Sequence, residues 1–286
     1  GKKGGEFPST FDTTLFEFHW KLLSGFDFVA TAVDYDWLDR GKLAMSDSLR
    51  DTRRADRSAW LKPIAITVAT TALVALLSRL PDNVSATAVG FGFLAVTYWL
   101  VLRSDDSARI ARYGLSFGGL FEPEPLSPAR IARESMTALL WALGLAAIFL
   151  PPFWLGFVWW WHIRTPFHPA RLASLGSDFL GQLLVIALPE EAFYRGYLQS
   201  ALDEAWRPRV RVLGAELGPS ILVTSALFAA GHLCTEFNAG RLAVFFPALV
   251  FGWLRSRTRG VGAGLVFHAL CNLFASYLSQ SYGFSR

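Results

Sequence analysis

The chain has 286 residues, of which 52% are hydrophobic, 15% aromatic and only 17% charged. Its mean hydropathy of +0.34 is too high for an ordinary soluble domain. The formal net charge is +4, but the basic residues collect in short loops beside apolar blocks, which argues against nucleic acid as a partner. The two cysteines, Cys234 and Cys271, are too few for a disulfide framework.

Residues 1–60 contain no apolar block that could cross a membrane. Aromatic and aliphatic residues crowd a short stretch between residues 15 and 26, among charged residues. This mixture is typical of a helix that lies in the membrane interface. We therefore expect residues 1–60 to form a cytoplasmic or interfacial N-terminal region.

Apolar blocks separated by short polar or proline-containing stretches fill the rest of the chain. They lie at residues 64–80, 84–102, 136–162, 172–206, 219–233, 242–254 and 261–278. The sequence therefore predicts an all-α fold, a polytopic transmembrane helical bundle of about seven spans, with six to eight as the range. Residues 61–169 would supply the N-terminal transmembrane helices and residues 170–282 the core that carries the polar motifs described below.

Prolines mark two places where a helix is expected to end or bend. Pro123, Pro125 and Pro128 argue against a long helix in the polar loop of residues 103–133. The Pro151–Pro152 pair lies inside the third block. It would either kink one long helix or end it before an interfacial segment.

The distribution of lysine and arginine predicts the orientation of the chain. Loops on alternate sides of the predicted spans differ in their number of basic residues. The loops with more lysine and arginine all lie on the cytoplasmic side if the N-terminus is in the cytoplasm. We therefore expect a multi-pass protein of the cell membrane, consistent with a bacterial inner membrane, with membrane lipids as direct partners.

Ionisable side chains within the apolar blocks indicate function, because a charge in a bilayer is costly unless it is paired or hydrated. The fourth block contains Glu190, Glu191 and Arg195. On a helix, Glu191 and Arg195 are four residues apart with the acid first, the favourable order for an ion pair, whereas Glu190 lies about 100° around the helix from Glu191. We therefore expect Arg195 to neutralise Glu191 and to leave Glu190 as a general base for water.

Two further polar motifs lie on later blocks. Phe228 and His232 are four residues apart in the fifth block, and His268 and Asn272 are four apart in the seventh. Residues at this spacing share a helix face. A histidine and an amide that face a carboxylate and a second histidine could hold a water and an oxyanion together, which is what hydrolysis of an amide requires.

The three motifs, Glu-Glu-x-x-x-Arg, Phe-x-x-x-His and His-x-x-x-Asn, resemble those of the CAAX protease and bacteriocin-processing enzyme family of intramembrane proteases. All three match without a substitution, in the same order, within about residues 170–280. The segment around Phe246 and Pro247, with the basic end of the sixth block, is also similar to a bacterial branch of the family that removes C-terminal sorting helices from exported proteins.

The resemblance implies a role for each matching residue. Glu190 and His232 would activate a water molecule, and His268 and Asn272 would bind the oxyanion. The other matches would support the site, and they are Glu191, Arg195 and Phe228. No metal or other cofactor is implied, and the substrate would be a peptide or protein with a hydrophobic or lipidated C-terminal segment or a leader peptide.

Two other functions are compatible with the same residues. A zinc hydrolase could use Glu190, His232, Cys234, His268 and Cys271 as ligands, although the sequence has no His-Glu-x-x-His helix and its cysteines lie outside the motifs. A proton-coupled transporter or a non-catalytic scaffold could use the polar groups as a relay or a binding pocket. The two halves of the chain show no inverted repeat, which argues against the transporter.

Overall fold

The computed structural model describes residues 58–170 and 175–283. The described residues fall almost wholly within one compact unit, Arg53–Val210 with Gly214–Arg286. The predicted interfacial helix lies outside the described residues. The compact unit contains every residue of the three motifs.

Most of the described chain is helical. Among the described residues, three helices are long and apolar enough to cross a membrane, and they are Asp82–Leu102, Pro128–Trp160 and Gly262–Ser281. Leu61–Leu77 and Pro219–Thr235 are shorter apolar helices. Helices suit a lipid environment because they satisfy their backbone hydrogen bonds internally. These helices indicate a multi-pass membrane protein, and the total of about seven spans stays a prediction.

The first two helices form a hairpin. Helix α1 is Leu61–Leu77, and α2 is Asp82–Thr97, which continues into a π-helical segment at Tyr98–Leu102. Buried threonines in both helices donate their hydroxyls to the carbonyl four residues earlier, and they are Thr67, Thr70 and Thr97. These polar groups are therefore satisfied within their own helices.

The polar loop after α2 contains the short helix α3, Ser107–Arg112, and a 3₁₀ turn at Phe117–Gly119. Helix α4, Pro128–Trp160, begins eight residues before the predicted block and so contradicts the expectation that Pro128 belongs to the loop. A proline fits the first turn of a helix because its missing N–H would have no intrahelical partner there. Ser127 caps the turn by accepting a hydrogen bond from the Arg130 N–H at 3.4 Å.

Pro151 and Pro152 lie within α4 and do not end it. The helix therefore runs for 33 residues. Of the two outcomes expected for this proline pair, the single long helix is the one that the structure has.

One long helical run carries the first motif, and we call it the motif helix. It consists of α5 (Leu175–Gly181), a π-helical segment (Gln182–Ala187), α6 (Leu188–Glu191), a second π-helical segment (Ala192–Gln199) and α7 (Ser200–Trp206). The residues at these junctions keep right-handed helical backbone angles. The two carboxylates therefore lie on a single α-helical turn between two wider π-helical segments.

The last part of the chain holds the other two motifs. Two three-residue strands, β1 (Val210–Val212) and β2 (Ala215–Leu217), form a small sheet that the all-α prediction did not include. The remaining helical elements are α8 (Pro219–Thr235), a 3₁₀ segment (Ala239–Val244), α9 (Phe245–Thr258) and α10 (Gly262–Ser281). Contacts with α2, α8, α9 and α10 surround the motif helix, while α10 also packs along α4.

Candidate functional site

A fully buried ion pair lies at the centre of the site. The Arg195 Nη1 atom lies 2.9 Å from Glu191 Oε1, and both side chains are 0% exposed. Arg195 also donates from Nη2 to the Ala248 carbonyl at 3.3 Å. Its guanidinium lies 4.3 Å from the ring centre of Phe228 and 5.1 Å from that of Phe251. The predicted pairing of Glu191 with Arg195 is therefore confirmed, and the charge of Arg195 is held between two aromatic faces.

His268 shares the same carboxylate oxygen. Its Nδ1 atom lies 3.0 Å from Glu191 Oε1, and its ring stacks on Phe251 with centroids 4.7 Å apart and planes 17° apart. An ionised carboxylate can only accept hydrogen bonds, so Nδ1 carries the hydrogen and donates it. Glu191 therefore fixes both the orientation of the imidazole and the nitrogen that bears the proton.

Glu190 faces the other nitrogen of the same imidazole. Its Oε2 atom lies 3.7 Å from His268 Nε2, which is too long for a direct hydrogen bond. This oxygen is buried and makes no hydrogen bond to any other described residue. Buried polar atoms without a partner are uncommon in folded proteins and often belong to functional sites. The sequence predicted that Arg195 would pair with Glu191 and not with Glu190, and this geometry agrees with it.

His232 lies in the last turn of α8, beside the site. Its Nδ1 atom is 3.0 Å from the Phe228 carbonyl, and its ring centre is 4.4 Å from that of Phe228. The Phe228 ring also meets the His268 ring edge-on at 6.0 Å, so one phenyl ring contacts both imidazoles. In the described part of the chain no hydrogen bond or ion pair joins His232 to Glu190, which instead lies within ion-pairing distance of His268.

Asn272 makes a contact that the sequence did not reveal. Its Nδ2 atom donates to Gln182 Oε1 at 3.0 Å. Gln182 begins the first π-helical segment of the motif helix, eight residues before Glu190. The sequence offered only one weak sign of this role, a glutamine inside an apolar block. His268 and Asn272 share a helix, as expected, but each bonds to a different part of the motif helix.

Two further residues shape the site without appearing in any motif. Phe251 stacks on the His268 ring and also contacts the Arg195 guanidinium, so it helps to hold both groups in place. Gly264 lies on α10, where an added Cβ would sit 3.1 Å from Glu191 Oε2. The absence of a side chain there lets α10 approach the carboxylate closely. Small residues allow this kind of close packing between membrane helices.

The ligand set considered for zinc is not assembled. Cys234 is exposed and Cys271 is half-buried, and both are free thiols. Within residues 58–170 and 175–283, no group of three or more histidine, cysteine, aspartate or glutamate side chains is placed to hold a metal ion.

The fold and the site together indicate a multi-pass membrane protein with a buried centre of two carboxylates and a histidine. Residues 173–274 match the family described as type II CAAX prenyl endopeptidase, Rce1-like. This segment of the chain is therefore similar to the CAAX protease family, in agreement with the resemblance seen in the three motifs. Comparison with curated proteins and with solved structures gave no match.

Proposed function

We propose that the protein is an intramembrane endopeptidase in which the Glu190 carboxylate activates a water molecule for attack on a peptide bond. The observation that carries this proposal is the buried Glu190 Oε2 atom, which lacks a hydrogen-bond partner among the described residues and faces His268 Nε2 at 3.7 Å. A general base must have an oxygen available to the proton that it removes. Glu191 also has a buried oxygen, Oε2, without a hydrogen-bond partner in the described chain, but its Oε1 binds both Arg195 and His268, so we assign this carboxylate a supporting role.

In the proposed reaction, Glu190 takes a proton from water as the water oxygen bonds to the scissile carbonyl carbon. The proton then passes to the amine that leaves when the carbon–nitrogen bond breaks. With its Nδ1 atom donating to the Phe228 carbonyl, His232 presents Nε2 as an acceptor. Its proposed role is to help to orient the water, as the family resemblance implies.

The oxyanion would be bound by His268 and Asn272. The Asn272 amide has two N–H groups, and one of them is held by Gln182, which leaves the other for a developing negative charge. His268 can donate from Nε2 only when both ring nitrogens carry hydrogen. The oxyanion role therefore requires an imidazolium, whose charge the carboxylates of Glu190 and Glu191 would balance.

The proposed substrate is a membrane-associated peptide or protein. The description of the matched family names CAAX prenyl endopeptidases, so a lipidated C-terminal segment is one candidate. A leader peptide and a C-terminal sorting helix are the others. In all three, an apolar group would deliver the scissile bond to a site within the membrane.

The test compares the protein termini in membranes of cells that express the wild type or Glu190→Gln. We expect a set of new termini that appear with the wild type and disappear with Glu190→Gln, His232→Ala and His268→Ala. Glu134→Gln is the matched control, because Glu134 is 46% exposed on α4 and lies outside the site. Membranes of cells that express Glu134→Gln should contain the same new protein termini as those that express the wild type.

Two results would argue for the alternative functions. Identical termini in the wild type and all three site variants would refute proteolysis and leave a scaffold or transporter. Activity that a chelator abolishes and added zinc restores would refute the water activation proposed here and support a metal hydrolase.

A further inference from the structure

A second polar cavity lies away from the three motifs. It has a volume of about 280 Å³ and is lined by residues at the start of α1, the end of α2, α3 and α7. Its polar lining comes from Lys62, Arg109, Tyr113, Tyr197 and Glu204. This volume is large enough for a small charged group.

The surroundings of the cavity resemble a membrane surface. The span-length helix Asp82–Leu102 ends beside it, and the next residue, Arg103, lies over the Trp99 ring at 4.1 Å. Trp60 and Trp206 form a tryptophan pair nearby, with ring centres 6.0 Å apart. Tryptophan and arginine collect where a span meets the lipid headgroups, so the cavity lies at headgroup level.

Two basic side chains of the cavity have N–H groups that are available to bind a ligand. Lys62 makes no ion pair with a residue of the described segments, and its side chain is exposed. Arg109 uses Nη2 to donate to the Leu100 carbonyl at 3.0 Å, and its other guanidinium nitrogens have no hydrogen-bond partner in the described chain. The Leu100 bond fixes the guanidinium at the cavity wall. An anion between the two residues would therefore meet an ammonium group and an oriented guanidinium.

The acid of the cavity does not cancel these charges. Glu204 accepts a hydrogen bond from the Tyr113 hydroxyl at 3.3 Å and lies 3.6 Å from Arg112 Nη1. Burial and the neighbouring Glu204 carboxylate both raise the pKa of Tyr113, so its hydroxyl keeps its proton. Glu204 thus already has two partners, and Lys62 and Arg109 remain for a ligand.

We propose that this cavity binds the phosphate group of an anionic phospholipid, with Lys62 and Arg109 as its ligands. Phosphodiester oxygens accept hydrogen bonds from both cations. Apolar wall residues, including Pro63 and Leu100, would contact the glycerol ester region. The exposed apolar surface beside the cavity, which includes Leu61, would contact the acyl chains. Basic pockets between helices at the cytoplasmic surface are suited to such lipids.

The test measures lipid binding to the purified full chain in detergent. Native mass spectrometry would count lipids retained from micelles that contain equal mole fractions of phosphatidylglycerol or phosphatidylcholine. We expect phosphatidylglycerol to be retained preferentially, and Lys62→Gln/Arg109→Gln to weaken its binding by about 10- to 30-fold, from two lost phosphate contacts. Arg79→Gln/Arg164→Gln is the matched control, because it removes the same charge from two exposed residues outside the cavity. It should retain the lipid.

Each remaining outcome has a defined meaning. If Arg79→Gln/Arg164→Gln weakened phosphatidylglycerol binding equally, the lipid would be held by the general positive charge of the surface, and the proposal would be overturned. Equal retention of both lipids by the wild type would also overturn it. Inorganic phosphate that stabilises the wild type against heat as much as the lipid does, and fails to stabilise the double variant, would identify free phosphate as the ligand and refute the lipid. Because the double variant could fold poorly, Arg109→Lys provides a second measure, with intermediate retention expected from a point charge that lacks the guanidinium fork.

Discussion

The ion pair between Glu191 and Arg195 allows a quantitative test of how the site is held together. Both side chains are fully buried and joined at 2.9 Å. In Glu191→Gln, the guanidinium keeps its 3.3 Å bond to the Ala248 carbonyl and its place over Phe228, but it loses the opposing charge. Removing one partner of a buried pair leaves an uncompensated charge and destabilises a protein by about 3–5 kcal/mol. We expect Arg195→Met to have an effect of the same size.

The double variant Glu191→Gln/Arg195→Met removes both charges at once. Its free energy of unfolding should exceed the value expected from adding the two single losses by about 2–3 kcal/mol, the upper end for residues in contact. The pair Glu236 and Arg241 is the control, because its side chains are 33% and 42% exposed. Its coupling should be below about 1 kcal/mol.

Unfolding would be followed by tryptophan fluorescence during titration of mixed micelles with sodium dodecyl sulfate, since the chain contains 11 tryptophans. Additivity of the two single losses to within about 0.5 kcal/mol would show that the pair is not coupled. In that case the burial of the two charges would not explain how His268 is held in place.

Two further predictions concern the loop before α4. Gly118→Ala should clearly lower the melting temperature, because Gly118 has φ +74° and an added Cβ would lie 2.6 Å from the Ile131 Cα, a backbone atom that cannot move aside. Gly144→Ala is the control, with nothing within 4 Å of its added Cβ. In the same thermal melt it should be neutral or stabilising. Hydrogen bonds from Arg130 and from a serine hydroxyl lower the pKa of Glu122 below its ordinary value of 4.5, so its contribution to stability is complete above about pH 4.5 and is lost as the pH falls through its lowered folded pKa. Glu122→Gln should therefore reduce stability near neutrality and flatten the acid limb of the stability curve, whereas an unchanged acid limb would contradict this account.

The helices were largely predictable because a helix exposed to lipid requires a long run of apolar residues. The second and fifth blocks match α2 with its π-helical extension and α8 to within two residues. The start of α4 was not predictable from the blocks alone. Its first two turns are polar, and Pro128 was interpreted as a loop residue although it also suits the first turn of a helix.

Within the site, local contacts were predictable and contacts between helices were not. Glu191 and Arg195 pair because a spacing of four residues brings side chains together on any helix. The bonds from Glu191 to His268 and from Asn272 to Gln182 depend on how α10 is positioned along the motif helix. That position follows from close packing at residues such as Gly264 and from the π-helical segments, for which the sequence pattern carries no clear signal.

The two π-helical segments also affect how the motif helix could vary in length. A π-helical turn contains about one residue more than an α-helical turn, so it behaves as a single-residue insertion that the helix absorbs without unwinding. Loss of one residue from residues 196–199 would restore α-helical pairing and leave Glu190 and Glu191 at the same angle to α7, whereas the same loss from an α-helical stretch would rotate its two flanks by about 100° relative to each other. The π-helical segment thus allows the motif helix to change in length by one residue after Arg195 while the two carboxylates keep their angular setting.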